Sequence, residues 1–438
     1  MRSFLALLLL GSVASGETLT LSQAIAFARA HQPSLAAARA RVDVARADAE
    51  LPFAARSIRI GAAAEILGGS NNNTTASYAT LGVLDVARIG GTPANAPITW
   101  SPEASTLAGI SIHKDLYDFG RLDTLADALN EQARAVGESA TIAALDLDLV
   151  VEESFYAVLG AKAVLAASDA AVARSTTHRD FANARVTAQL MPPIELARAE
   201  ADLARYEVDR VRAAGAVQTT QAVLAAAIGA ATSVDAGADD LPIRAPGAIT
   251  DAPELRAARD RLRAQQLQTA AIRAEMRPDL SISAEITGRA GGADVAANAS
   301  PWGNGFVPDV PNWDVLAVIT WPLYDRVVAT RAESSRRAES VRAAELQDVS
   351  EQLRSVAQRA AIALDVETAA QPALQRAVDA AQANHAQAEA RFNGGLGTAV
   401  ELSDAEALLT QAQINLAVGE FQRSRARARL ARVLAESK

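Results

Sequence analysis

The sequence runs through one plan twice. The tripeptide Leu-Tyr-Asp stands at Leu116–Asp118 and again at Leu323–Asp325, 207 residues later. Arg185–Leu203 aligns without a gap to Arg391–Leu409, at an offset of 206 residues and with 8 identities in 19 positions. Upstream, the run His31–Glu50 is echoed by Asp251–Ala270. A chain written this way folds as two copies of one unit, so an element assigned in one half has a counterpart in the other. The boundaries read as a leader at 1–16, a first repeat at 17–230, a linker at 231–250 and a second repeat at 251–438.

Each repeat has the same order of elements. A helix of moderate length comes first, over Leu21–Leu51 and Pro253–Met276, with Ser22 and Asp251 as caps and apolar residues at three- and four-residue steps. Two strand-like segments follow. Ile58–Ile66 and Leu280–Thr287 alternate apolar with polar or small residues, and Ser105–Tyr117 and Asn312–Tyr324 return. Their loops, "GGSNNNTTASY" and "GGADVAANASPWGNG", are rich in Gly and Asn. Alternation over about ten residues is the length of a bilayer-crossing strand, and Trp313 and Trp321 at the margins suit a membrane interface. An ordinary soluble hairpin has the same pattern, so the alternation leaves both open. Four strands cannot close a barrel by themselves, and open edges are not tolerated in lipid; if they cross a bilayer, several subunits share one barrel.

Very long helices come next. Between Arg121 and Ala188 there is no proline and only Gly137 and Gly160, enough for a helix of roughly 100 Å at 1.5 Å per residue. A shorter helix returns over Pro193–Ile228, and the second half repeats the pair over Val327–Arg391 and Val400–Ala435, with Pro372 expected to kink the longer one. Leu145, Leu149, Phe155, Val158 and Leu165 keep a heptad-like spacing. The bland reading is a coiled-coil rod; the sharper one is a helical tube. The fold class expected is mainly α with a small antiparallel β part.

Composition agrees with extended helices. Half of the residues are apolar but only 4% are aromatic, and alanine suits helices packed closely together. The first 16 residues carry Arg2, the apolar run Phe4–Leu10 and small residues before Glu17, the pattern of a secretory signal peptide. No later stretch reaches 18 uninterrupted apolar residues, so no membrane-spanning helix is expected. The absence of cysteine excludes disulfides and a lipidated N-terminal cysteine, and a net charge of −9 argues against nucleic acid as a partner.

Catalytic chemistry finds no foothold. His31, His113, His178 and His385 are scattered without ligand spacing, so neither a metal nor a cofactor is expected. The Gly-rich stretch "GGLGTA" follows a helix rather than a strand and lacks the Lys-Ser/Thr of a phosphate loop. Glu152 and Glu153 read as solvent-facing charges on a helix. The chain is not expected to be an enzyme.

Taken together, these stretches resemble the TolC-like outer-membrane efflux proteins. "LTLSQAIAFARAHQPSLAAARARVDVARA" resembles the opening helix of that family, "ISIHKDLYDFGRLDTLADAL" its strand-to-helix passage, and the segment from Ala390 to Ala435 its terminal hairpin. The resemblance covers the whole chain after the leader. It implies a homotrimer whose strands share one barrel in the outer-membrane lipid of a Gram-negative bacterium, continuous with a periplasmic helical tube. It further implies a periplasmic adaptor (membrane fusion protein) and an inner-membrane transporter as partners, in efflux or type I secretion. The competing reading is an exported coiled-coil interaction or adaptor protein without a pore.

The resemblance also implies roles for residues. The tips that meet the adaptor fall at Ala188, Gln189 and Leu190 in the first copy, and at Gly394, Gly395, Leu396 and Gly397 in the second. Glu401 and Asp404 match a position where acids face the lumen at its narrowest point, and Glu195 is the first-copy counterpart of Glu401. Some members latch the closed state with an arginine in the second tip; Gly397 stands there instead.

Overall fold

Thr20 opens the first helix by a reciprocal cap. Its hydroxyl accepts from the Gln23 amide, and the Gln23 side chain accepts from the Thr20 amide at 2.9 Å. Ser22, the expected cap, falls in the first turn. Helix α1 (Leu21–His31) stops because Gln32 precedes Pro33 and is extended, the conformation that proline imposes on its predecessor. Helix α2 (Pro33–Ala55) then starts on the proline, so the single helix expected over Leu21–Leu51 is two. Asp251 is likewise not the cap it was expected to be: α5 (Pro253–Ala274) starts with Ala252 accepting from the Leu255 and Arg256 amides.

The computed structural model describes residues 18–69, 100, 103–239, 251–291, 307 and 310–434. The leader at 1–16, most of the Gly- and Asn-rich loops and residues 240–250 of the linker lie outside them. Strand β1 (Thr18–Leu19) precedes α1, and β2 (Arg59–Gly69) and β3 (Glu103–Tyr117) follow α2. Helices α3 (Arg121–Thr187) and α4 (Pro193–Ile228) come next, then β4 (Asp235–Ala236), α5, β5 (Asp279–Gly291) and β6 (Val310–Thr320). Helices α6 (Arg326–Asn393) and α7 (Ala399–Leu434) end the chain. Helix α6 runs on through Pro372, and the last strand ends before Trp321 and Tyr324.

The chain divides into two units. One, made of 44–133 and 260–343, holds the strands β2, β3, β5 and β6 and the helix ends beside them. Here the repeated Leu-Tyr-Asp finds its purpose. Asp118 accepts from the Leu122 amide at 2.7 Å and from the Gly120 amide at 3.1 Å, and Asp325 accepts from the Val327 amide at 2.7 Å. Each aspartate satisfies first-turn donors of a long helix. Asp118 is buried and also receives Arg56 at 3.0 Å, which reaches Asp123 at 2.7 Å as well. We predict that Asp118→Ala costs about 1–2 kcal/mol, measured as a lower melting temperature with unchanged helix content by circular dichroism.

The other unit, made of 18–43, 134–259 and 344–434 among the described residues, is helical apart from the short parallel pair β1·β4. Its main core joins Leu21, Ile25, Val151, Phe155, Val158, Leu224 and Ile228. The expected solvent-facing acids are corrected here: Glu152 is buried, and Glu153 lies against α7, where Arg425 and Arg429 bind it at 3.0 and 2.6 Å. Arg432 likewise bridges Asp146 and Glu254, both at 2.8 Å. Arginines recurring every second or third residue on α7 thus fasten it to acids of α3 and α5. One stretch of α3 is apolar enough, by length and composition alone, to cross a membrane, although polar residues interrupt its apolar run. The same helix supplies Val151, Phe155 and Val158 to the protein core.

Candidate functional site

The four strands form one antiparallel sheet in the order β2-β3-β5-β6, and its two faces are opposite in chemistry. The register places Ile60, Ile112, Ala284 and Val315 in one row, and Ala62, Ile110, Ile286 and Trp313 in the next, all on the same face. That face is open: Ile286 is 67% exposed and Trp313 76%. The other face carries Arg59, His113, Asp115, Ser111, Ser283, Glu285, Thr287 and Asp314. There Ser111 is 2% exposed and Ser283 4%. His113 contacts the Ser283 hydroxyl and Asp115 at 2.9 Å each, and Arg59 reaches Asp115 at 3.3 Å. A soluble sheet hides its isoleucines and wets its serines; this one does the reverse.

Two further features belong to the apolar face. Trp313 lies on it near the start of β6, and Trp321, just past the end of β6, is exposed as well. Lys114 is the charged residue on this face among the described residues, three positions before the end of β3, where its stem can carry the ammonium toward water. A register shift between Asp115 and Tyr117 marks a bulge at that same end. The outer edges of β2 and β6 pair with no other described strand.

The expected tips form two equivalent turns. The Leu190 amide donates to the Arg185 carbonyl at 2.8 Å, and the Leu396 amide to the Arg391 carbonyl at 2.8 Å. Between them in each turn sits a left-handed residue, Gln189 with φ 59° and Gly395 with φ 73°. Glycine takes that conformation freely, whereas glutamine incurs about 1 kcal/mol. Gly397 is tightly placed: a Cβ there would lie 3.1 Å from the Arg391 Cβ and 3.2 Å from a Glu401 oxygen. Leu190 and Leu396 are both exposed. Within the chain the tips touch, since Arg185 donates to the Asn393 carbonyl at 3.0 Å, His178 meets Phe392 edge-on and Phe181 packs against it at a tilt.

The family model for outer membrane efflux proteins matches the chain over residues 24–230 and 246–436. The chain belongs to the outer membrane efflux protein family. The fold of this efflux protein is similar to that of the outer membrane protein VceC from Vibrio cholerae, with a TM-score of 0.75 and 20% identity over 95% of this chain and 96% of that one. It is similar to a membrane protein from Pseudomonas aeruginosa, with a TM-score of 0.74 and 20% identity over 95% and 93% of the two chains. The outer-membrane channel OprN matches with a TM-score of 0.75 and 18% identity over 97% and 93%. No curated protein sequence matches the chain. Membership in an outer-membrane efflux family does not favour a pore-less coiled-coil protein.

The acids singled out for the lumen of this efflux protein lie in different settings. Glu401 is exposed and caps α7: its carboxylate accepts from the Thr398 amide at 3.4 Å, the Thr398 hydroxyl accepts from the Glu401 amide at 3.2 Å, and Arg391 stands 3.8 Å away. Asp404 is exposed one turn on. Glu195 is half-buried on its own helix, 3.7 Å from Arg198. Trp313 and Trp321 are both exposed.

Sequence reasoning missed a second cluster, above the tips, where α3, α4, α6 and α7 meet. Glu406 is 2% exposed there, with Arg174 at 3.7 Å. Burial, reinforced by Asp202 and Glu389 and opposed by Arg174 and Arg205, pushes its carboxyl up to about 7. Burial holds His178 and His385 below the usual histidine value and raises the Tyr206 hydroxyl.

Proposed function

We propose that three copies of this chain form a homotrimer whose sheets close into one twelve-stranded barrel in the outer membrane, with the helices forming a tube in the periplasm. The observation that carries this reading is the inverted sheet, with its open isoleucine and tryptophan face, its buried serine face and its unpaired outer edges. Lipid supplies the missing partner for the open face, and neighbouring copies supply the missing partners for the edges. The leader at 1–16 takes the chain out of the cytoplasm and is removed. The finished duct is a passive, gated conduit, and the energy for export comes from elsewhere. Chemical crosslinking of the purified membrane protein, with conductance in planar bilayers, tests this; a monomer, or a trimer that carries no current, overturns it.

The tips, with exposed Leu190 and Leu396, are the surfaces offered to a periplasmic adaptor, which links the duct to an inner-membrane transporter. Threefold repetition turns Glu401 and Asp404 into rings of carboxylates at the mouth, which attract cations and repel anions. The double variant Glu401→Gln, Asp404→Asn is predicted to weaken block by multivalent cations added on the periplasmic side. Glutamine can still serve the α7 cap, so the change in block reads charge rather than a frayed helix. Unchanged block in single-channel recordings removes both residues from the constriction.

A further inference from the structure

The buried cluster around Glu406 belongs to the helical unit, on α7 two residues past Asp404. Its geometry is unusual for a structural ion pair. Glu406 Oε1 is buried and accepts no hydrogen bond among the described residues, and Arg174 Nε, 3.7 Å away, is buried and donates none. The Arg174 Nη2 turns instead to the Thr410 hydroxyl at 3.0 Å. A guanidinium and a carboxylate held this close in a dry site normally close the gap, since charge-assisted bonds are the strong ones and an unmet buried charge is costly. The pair is set for one protonation state and poised for another.

The surrounding charges explain why. From α3 come Arg174 and His178, from α4 Asp202, Arg205 and Tyr206, with Glu195, beside Arg198, acting on His178, from α6 His385 and Glu389, and from α7 itself Ser403 and Thr410. Asp202 is already engaged, accepting from the Ser403 hydroxyl at 2.7 Å and standing 3.5 Å from Arg205. The two arginines acting on Glu406 are matched by the two acids Asp202 and Glu389. An ionised Glu406 is therefore the surplus negative charge of the cluster. The histidines, kept neutral by burial at neutral pH, do not offset it.

We propose that Glu406 is a proton-operated switch in the packing of the two helical hairpins: neutral, it allows the arrangement seen here, and ionised, it draws Arg174 off Thr410 and reseats α3 against α7. The proton leaves to solvent and the carboxylate gains the guanidinium, so no other reactant is needed. Acid outside the cell thus favours one packing of the helices near the tips, and neutral or alkaline conditions the other. The switch is a property of the helix interface; its effect on conduction rests on the channel reading above.

The absence of cysteine makes the test clean. Spin labels on Thr177→Cys of α3 and Gln411→Cys of α7, both exposed, report the separation of the two helices when labelled chains are diluted with unlabelled ones. The expected result is a distance distribution that shifts between pH 5.5 and 8.5 with a midpoint near 7, and a Glu406→Gln variant that holds the acid distribution throughout. Identical distributions at both pH values in the otherwise native chain overturn the switch, and that series decides alone should the glutamine variant not fold. A shift that persists in folded Glu406→Gln overturns the assignment to Glu406. A trimer that conducts while its labels stay still sinks the switch and leaves the duct standing; labels that move in a protein carrying no current do the opposite.

Discussion

Arginine in place of Ile112 is expected to keep the protein out of the outer membrane. Ile112 sits on the inner strand β3, in the row with Ile60, Ala284 and Val315, on the open face of the sheet. If lipid covers that face, each arginine costs roughly 2–4 kcal/mol near the middle of the bilayer, and threefold symmetry multiplies this to roughly 6–12 kcal/mol per assembly. That is comparable with the whole stability of an ordinary fold, about 5–15 kcal/mol. The control is Asp314→Lys, on the opposite face and directly across from Glu285, where a cation meets an acid and, in the proposed barrel, water. The prediction is that Ile112→Arg is lost from the outer-membrane fraction while Asp314→Lys inserts and trimerises. Equal insertion of the two proteins would show that the face does not meet lipid.

Much of this architecture was legible because the sequence repeats itself. Leu-Tyr-Asp, read as a mark of the repeat and of the passage from strand to helix, caps both long helices through Asp118 and Asp325. The equivalence of Gln189 and Gly395 was visible as an offset, and both residues adopt the left-handed turn. The start of α4 followed from Pro193, and the start of α7 from the glycine-rich turn before it. The break at Gln32 was readable too, since Pro33 stands in plain view; the unbroken apolar periodicity around it outweighed the local backbone rule.

What stayed hidden depends on contacts between segments far apart in the chain. Glu152 and Glu153 look like an exposed acidic pair until Arg425 and Arg429, more than 270 residues later, are packed against Glu153. Glu406 is the sharper case. Its counterpart at the offset of 206 residues is Glu200, the same residue type in the same local pattern, yet Glu200 is exposed and Glu406 is buried. The repeat specifies each hairpin alike, but one hairpin presses Arg174, Asp202 and Tyr206 upon the other without receiving an equivalent set in return. Burial here comes from that unequal docking of near-identical units, which no reading of either copy by itself contains.

The same asymmetry leads to an expected gain in stability from a substitution. Glu406 has a folded-state value of about 7, above the ordinary glutamate value of 4.5. A group raised in this way contributes stability that is complete below its ordinary value and is lost as pH rises through 7, because above 7 its ionised form must be held in the dry cluster. The gap corresponds to on the order of 3 kcal/mol per chain. Glutamine cannot ionise and keeps the neutral arrangement. Glu406→Gln should therefore melt with the native protein near pH 4.5 and at a clearly higher temperature at pH 8. His178 and His385 act with the opposite sign, their contribution being present at neutral pH and lost on acidification, but they are common to both proteins and cancel in the comparison. Melting curves taken across pH 4.5 to 8.5 decide the matter: a difference that fails to grow with pH would mean that Arg174 already neutralises the carboxylate at no cost.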